Sequence, residues 1–366
     1  MKYFIVAGEA SGDLHGANLI KAIKEKDATA EFRFWGGDLM SKQANGLLMH
    51  YKNTSIMGFI EVILKIRTIL NFISLCKKQI DFFNPDKVIL IDYPGFNLRI
   101  AEYAKNKGYE VTYYIAPKVW AWKENRAKKL ELFVDKLLLI FPFEVDYFKK
   151  WKVNATYIGN PLLDEINAFK PNPTFKKENH LDESKPIIAL LPGSRKQEIS
   201  TTLPNMMLLA SKYHQFEFVI CAAPAIPEEF YQKFIGPNTK IIYNQTYEVL
   251  ALAKAAVVCS GTATLETALF NVPQVCGYVA NSISYLIAKQ FVKIKYISLV
   301  NLNLDKNAIV ELIQHDYNLQ NLQTAFEAIL PEGKNYQALM NDYKNLQHIL
   351  NKQGASKNAA DIIIGS

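Results

Sequence analysis

Short continuous apolar runs alternate along the first half of the chain with stretches that carry an apolar residue every three to four positions. Tyr3–Ala7, Lys87–Asp92, Val111–Ile115, Lys136–Ile140 and Ala155–Ile158 read as strands, since brief apolar runs bounded by polar turns suit positions buried on both faces of a sheet. The loop Gly8–Gly16 leads from the first of them into a helix that runs to about Lys26. Strands and helices in alternation predict a parallel, doubly wound sheet, whose ligands gather at the carboxyl ends of the strands. The pattern breaks at Ala168–Pro186, where three prolines and unperiodic charges read as a linker. It resumes with strand Ile187–Leu191, the turn Pro192–Arg195 and a helical region entered near Glu198. Strands at Phe216–Cys221 and Lys240–Tyr243 and an apolar run ending at Cys259 follow.

The predicted fold is α/β, with two Rossmann-like doubly wound parallel-sheet domains facing a cleft. Residues 1–167 form the first and 187–345 the second; 168–186 link them, and 346–366 pack back across the domains as a helix. Ile297–Asn303 leads into the helical C-terminal part.

The stretch Val257–Val275 carries the most chemistry. After the strand ending at Cys259, Ser260, Gly261 and Thr262 make a small-residue turn, and a helix runs from Ala263 until Asn271 and Pro273 stop it. A helix N-terminus at a strand's carboxyl edge offers free N–H groups and a favourable dipole to an anion. Glu266, on the first turns, is suited to accept hydrogen bonds from sugar hydroxyls, as the acidic residue of dinucleotide folds does for a ribose. An ordinary strand-to-helix turn capped by Thr262 has the same sequence. The turn Gly193–Ser194–Arg195 offers close backbone approach and a planar guanidinium for phosphate oxygens.

In the first domain, Asp92 ends a strand just before the turn Tyr93–Pro94–Gly95, which aims a carboxylate at the ligand edge and makes it the candidate general base. A helix-capping aspartate is the structural alternative. The loop after the first strand holds Glu9, Ser11, Asp13 and His15 without the spacing of a nucleoside-triphosphate or dinucleotide loop, and Ser11 or Asp13 can equally cap the helix. Trp120 and Trp122, among Lys118, Lys123 and Arg126, suit a sugar face and phosphates, or ordinary half-buried packing. Ile56–Leu75 is the most hydrophobic long segment. Glu61, Lys65 and Arg67 make it a poor membrane span, which leaves a core helix or a face of Met57, Phe59, Ile60, Ile63 and Leu64 in the membrane interface or around acyl chains, with Lys65 and Arg67 near anionic head groups.

Composition narrows the choice. The 366 residues are 49% apolar, enough for two cores, and the net charge of +7 comes mostly from scattered lysines without a nucleic-acid-binding signature. The charge fits an anionic substrate or membrane surface at least as well as nucleic acid, and without such a signature we expect no nucleic-acid partner. Cys76, Cys221, Cys259 and Cys276 lie in apolar runs without metal spacing and read as reduced core residues of a cytosolic protein. The N-terminal apolar run is too short for a signal peptide. No Asp-x-Asp pair exists to clamp a metal diphosphate; Glu144-Val-Asp146 reads as a helix start. We expect no metal requirement and no cofactor.

GEASGD, MGFIEV at Met57–Val62, IDYPGFN at Ile91–Asn97, APKVWAW, LPGSR at Leu191–Arg195, SGTATLE at Ser260–Glu266 and SLVNL at Ser298–Leu302 together resemble the lipid-A-disaccharide synthase family, in its order and over nearly the whole chain. The resemblance implies a two-domain GT-B type inverting glycosyltransferase. It implies transfer from UDP-2,3-diacylglucosamine to 2,3-diacylglucosamine 1-phosphate, giving a β-1,6 disaccharide and UDP at the cytoplasmic face of the inner membrane, and it suggests a homodimer. Asp92 matches the first aspartate of the family's Ile-Asp motif, Arg195 the arginine of its Leu-Pro-Gly-Ser-Arg and Glu266 the glutamate after Ser-Gly-Thr; Ser11 and Asn301 match two further polar positions. Gly95 replaces a second aspartate found in many members, and Leu-Asn-Leu-Asp follows Asn301 where many have Leu-Leu-Ala-Gly. A UDP-sugar epimerase or a non-catalytic nucleotide-sugar binder would share Arg195 and Glu266, without need of an acceptor base.

Overall fold

The computed structural model describes residues 1–54, 66–117, 119, 125–236, 238–280 and 295–365. It divides into two compact units, Met1–Pro161 with Lys352–Ser366, and Leu162–Asn351.

The sheet of the first unit consists of β1 (Lys2–Ala7), β2 (Glu31–Gly36), β3 (Leu47–His50), β4 (Lys87–Ile91), β5 (Glu110–Tyr114), β6 (Lys136–Leu139) and β7 (Ala155–Tyr157). All its pairs are parallel, in the order β3-β2-β1-β4-β5-β6-β7. The central strands are buried along their length, and their side chains alternate between two cores. Val88, Leu90 and Tyr113 face one of these, where Ile73, Cys76 and Ile80 of helix Ile66–Phe83 pack. Ile89, Ile91 and Tyr114 face the other, with Leu19, Ile20 and Ile23 of helix Ala10–Lys26. Ala359, Ala360 and Ile363 complete that second core, so helix Ala355–Ile364 belongs to the first unit although it comes last in the chain.

The second unit holds β8 (Ile187–Leu191), β9 (Glu217–Ala222), β10 (Thr239–Tyr243), β11 (Ala253–Cys259), β12 (Gln274–Tyr278) and β13 (Glu311–Ile313), all parallel, in the order β10-β9-β8-β11-β12-β13. Counted within the unit this is 3-2-1-4-5-6, the order of dinucleotide-binding sheets. The proline-rich stretch after Ala168 packs in this unit: Phe175 and Leu181 are core residues, Phe175–Glu178 is a short helix, and the Asn172 N–H donates to Glu248 Oε2 at 2.9 Å. All four cysteines are buried free thiols.

In both sheets the order reverses beside the first strand, between β1 and β4 and between β8 and β11. Such switch points open a crevice at the strands' carboxyl ends, because the flanking connections leave to opposite faces.

Candidate active site

The first switch point is built around Asp92. Ala7, Ile91 and Tyr114 lie level in register at the ends of β1, β4 and β5, and the Asp92 N–H donates to Tyr114 O at 3.1 Å. The backbone then turns through two left-handed residues, Asp92 at φ +43° and Tyr93 at φ +48°, while Ile115, the residue after β5, has φ +64°. For non-glycine residues this region is sterically costly, roughly 1–3 kcal/mol each, and most of all for β-branched Ile115. Side chains hold the turn in place. The buried Asn97 amide donates to Asp92 O at 2.8 Å and Ile91 O at 3.1 Å and reaches Val6 O at 3.4 Å; the Tyr113 hydroxyl donates to Asp92 O at 2.6 Å. Asp92 itself is half-buried. Tyr93 stacks on Phe96 and covers Gly8 so closely that a Cβ there would lie 2.3 Å from its ring. Burial and the nearby Glu9 carboxylate raise the Tyr93 hydroxyl above its ordinary value.

Glu9 and Ser11 lie on the β1 side of this switch point and are exposed. Asp13, which the sequence offered as a cap for its own helix, is buried and caps another, accepting N–H groups of Gly37, Leu39 and Met40 at 2.7–3.1 Å around the start of helix Asp38–Gln43. His15 is half-buried edge-on to Tyr114, and burial lowers it to about 4. Arg126 is half-buried, which lowers its guanidinium, and both it and Asp92 act electrostatically on the Tyr113 hydroxyl.

Trp120 and Trp122, and Met57, Phe59, Ile60, Ile63, Leu64 and Lys65, lie outside the described residues. Arg67 is exposed on the first turn of helix Ile66–Phe83, which buries Ile73 and leaves Leu70 and Leu75 open. Among the described residues no helix is long and apolar enough to cross a membrane.

At the second switch point Leu191 and Val258 are level in register, so the turns Pro192–Arg195 and Ser260–Thr262 leave the sheet from neighbouring strands. Gly193 adopts φ +114°, and a Cβ there would lie 2.7 Å from Glu198. The Glu198 carboxylate accepts the N–H groups of Ser194 at 2.9 Å and Arg195 at 3.2 Å, and pairs with Arg195 Nη1 at 3.0 Å. The groups proposed for an anion therefore already hold one. Arg195 is 79% exposed, so this ion pair is weak and exchangeable. Glu198 had no visible role in the sequence beyond a helix start; Glu three residues into a helix is the one signal that pointed to it.

Gly261 precedes helix Thr262–Leu269, and both Gly261 and Thr262 are exposed; no side chain caps this N-terminus. Ser260 donates its hydroxyl to Ile297 O at 2.9 Å. Glu266 lies on the second turn and accepts the Tyr247 hydroxyl at 3.2 Å. Burial raises its carboxyl, as does the Glu165 charge, against the lowering effect of Tyr247.

Asn301 is fully buried. Its amide donates to Ile309 O and Glu311 Oε1 at 2.9 Å, and its carbonyl accepts the N–H groups of Ala308 and Ile309 at 2.8 and 2.9 Å. Glu311 also accepts Ser298 N–H and hydroxyl at 2.9 and 2.7 Å. In this arrangement Asn301 locks the loop that follows its own helix and leaves no amide atom for a ligand.

A family profile described as lipid-A-disaccharide synthetase matches residues 3–363. The chain belongs to that family. It is 36% identical to the lipid-A-disaccharide synthase of Syntrophus aciditrophicus over 364 residues, covering 97% of this chain and 95% of that protein. It is 31% identical to that of Myxococcus xanthus over 370 residues, covering 99% and 97%. Membership makes it a glycosyltransferase of lipid A biosynthesis, with nucleotide-sugar and lipid-sugar substrates. Among solved structures it resembles UDP-GlcNAc 2-epimerase from Neisseria meningitidis bound to UDP-GlcNAc, with TM-score 0.70, 14% identity and full coverage of both chains. It also resembles the glycosyltransferase of kitacinnamycin, with TM-score 0.69 and 12% identity over 99% of this chain and 98% of that one. These likenesses show the two-domain GT-B fold and nothing finer.

Proposed function

We propose that the enzyme transfers 2,3-diacylglucosamine from its UDP derivative to the 6-hydroxyl of 2,3-diacylglucosamine 1-phosphate, with inversion. The observation that carries the reading is the pairing of chemistry with topology: a strained carboxylate, Asp92, at one switch point, and Arg195 with Glu266 at the other. Asp92 accepts the proton of the acceptor hydroxyl, whose oxygen attacks the anomeric carbon from the face opposite UDP. The glycosidic bond to the diphosphate breaks, and its developing charge is met by Arg195 and the N–H groups of Gly193, Ser194, Gly261 and Thr262. The Glu198 carboxylate gives up its hold on the Ser194 and Arg195 donors to the diphosphate. Glu266 accepts the ribose hydroxyls. Ser260 contributes by holding Ile297, ahead of the Asn301 helix, and Asn301 by holding the loop that follows it.

Glu9, Ser11, Trp120 and Trp122 line the acceptor side in this reading, and residues 1–167 hold the acceptor while 187–345 hold the donor. Met57, Phe59, Ile60, Ile63, Leu64, Lys65 and Arg67 attach the enzyme peripherally to the inner face of the inner membrane, a role supported by exposed Leu70 and Leu75 farther along the same segment. Two copies pair; light scattering tests that. Flotation with anionic vesicles tests the membrane contact.

The deciding experiment is UDP release from UDP-2,3-diacylglucosamine, with and without the acceptor, in detergent and excess EDTA. Acceptor-dependent release that survives EDTA is expected. No release, with folded protein and magnesium restored, would overturn the reading.

A further inference from the structure

Glu266 does not stand by itself. Tyr247, on helix Thr246–Leu252, donates to its Oε1 at 3.2 Å and also engages the carboxyl of Glu165, on helix Pro161–Ala168. Two rings fix Tyr247 in place: Phe169 meets it edge-on at 5.7 Å, Phe270 lies 5.1 Å away, and the two phenylalanines meet each other at 5.7 Å. Glu165 Oε1 is buried and has no hydrogen-bond partner among the described residues. None of this is needed to make the fold's nucleotide turn, and two carboxyls brought together at one phenol are expensive to bury without a purpose.

We propose that Tyr247 and Glu165 are positioning residues that hold Glu266 in the rotamer needed to accept a vicinal diol, and so set the enzyme's preference for a ribonucleoside over a deoxyribonucleoside diphosphate. The proposal rests on the ribose reading of Glu266. A phenol has one proton for two acceptors. If both carboxyls were ionised, they would compete for it and repel each other. Burial raises both carboxyls, and at Glu165 the neighbouring Asp164 adds to the effect. In the proposed arrangement the two carboxyls share one proton, which sits on Glu165: its O–H donates to the Tyr247 oxygen, and the Tyr247 proton is committed to Glu266. One Glu266 oxygen is then pinned by the phenol, and its carboxylate is oriented and charged for the sugar's two hydroxyls.

The test measures the Kd of UDP and of 2′-deoxy-UDP by calorimetry, for the full chain and its variants. In the unmodified enzyme UDP should bind about tenfold or more tightly than 2′-deoxy-UDP, as expected when a buried acceptor loses its partner. Tyr247→Phe and Glu165→Ala should cut that ratio to threefold or less. Glu165→Gln, whose amide can donate to the phenol as the protonated acid does, should keep it. A merely structural role would weaken both nucleotides equally and leave the ratio unchanged, which would overturn the proposal, as would a ratio lost in Glu165→Gln and kept in Glu165→Ala. If the unmodified enzyme fails to discriminate while Arg195→Ala still weakens UDP, the ribose reading of Glu266 has failed and the proposal falls with it.

Discussion

The two switch points solve the same topological problem with opposite economies. At the first, the backbone is strained and the side chains around it are donors: Asp92, Tyr93 and Ile115 have positive φ, and Asn97 and Tyr113 give their hydrogen bonds to carbonyls, which fixes where the Asp92 side chain begins. At the second, the left-handed position is a glycine, Gly193, which takes it without strain, and carboxylates surround the donors: Glu198 fills the N–H groups of Ser194 and Arg195, while Glu165 and Glu266 share Tyr247. The general base proposed at Asp92 would have to be placed to within a fraction of an ångström, which rigidity at this turn provides. The diphosphate proposed for the second brings its own charge and geometry, so such a site needs donors kept ordered by an anion that can be exchanged.

The sharpest way to break this comparison is Asp92→Asn. It should lower kcat by about a hundred- to ten-thousandfold while leaving UDP affinity near that of the parent, measured by turnover and calorimetry. Near-normal turnover would remove the base from the first switch point. Arg195→Ala should cost on the order of a hundredfold in kcat/KM and weaken UDP as well. Unchanged donor affinity would move the phosphate site elsewhere.

Acid separates the two regions by sign. His15 is lowered by burial from 6.5 to about 4, so its folded form binds the proton less well than the unfolded chain. Stability from this group is complete above pH 6.5 and is lost as pH falls towards 4, by up to about 3 kcal/mol. Glu165 and Glu266 are raised above 4.5, so their contribution is present below that value and is lost as pH rises through their folded values. Hydrogen exchange between pH 4 and 6.5 should therefore show the first unit loosening on acidification more than the second, with His15→Gln flattening the difference. Equal acid sensitivity in both units would contradict it. The smallest effect expected is from Gly193→Ala, which must place a methyl group at φ +114° against Glu198. It should lower unfolding free energy by about 1–2 kcal/mol by denaturant titration. No loss would mean that the turn relaxes freely.

Much of this was readable from the chain. The apolar runs gave the central strands of both sheets, and a small-residue turn after a strand marked the Arg195 and Glu266 edge. Strands β2 and β3 were not read: Glu31–Gly36 alternates exposed and buried residues at its start, and β3 is only partly buried, so neither has a continuous apolar run. Asp92 was placed at the end of its strand; the structure moves it one residue beyond, into a left-handed turn. The partners of individual polar side chains were not legible. Asp13 capping helix Asp38–Gln43, Asn301 closing its own loop and Tyr247 bridging two glutamates each depend on a side chain meeting groups that only folding brings near.

The placement of helix Ala355–Ile364 on the first unit has a consequence for how the protein is made. A ribosome releases residues in order, yet the groove beside Leu19, Ile20 and Ile23 stays open until Ala359, Ala360 and Ile363 emerge. The unit synthesised first is thus the last to be finished. While the second unit is being translated and folds, its predecessor waits with an apolar face bare, and helix Ala355–Ile364 works as the clasp that closes it.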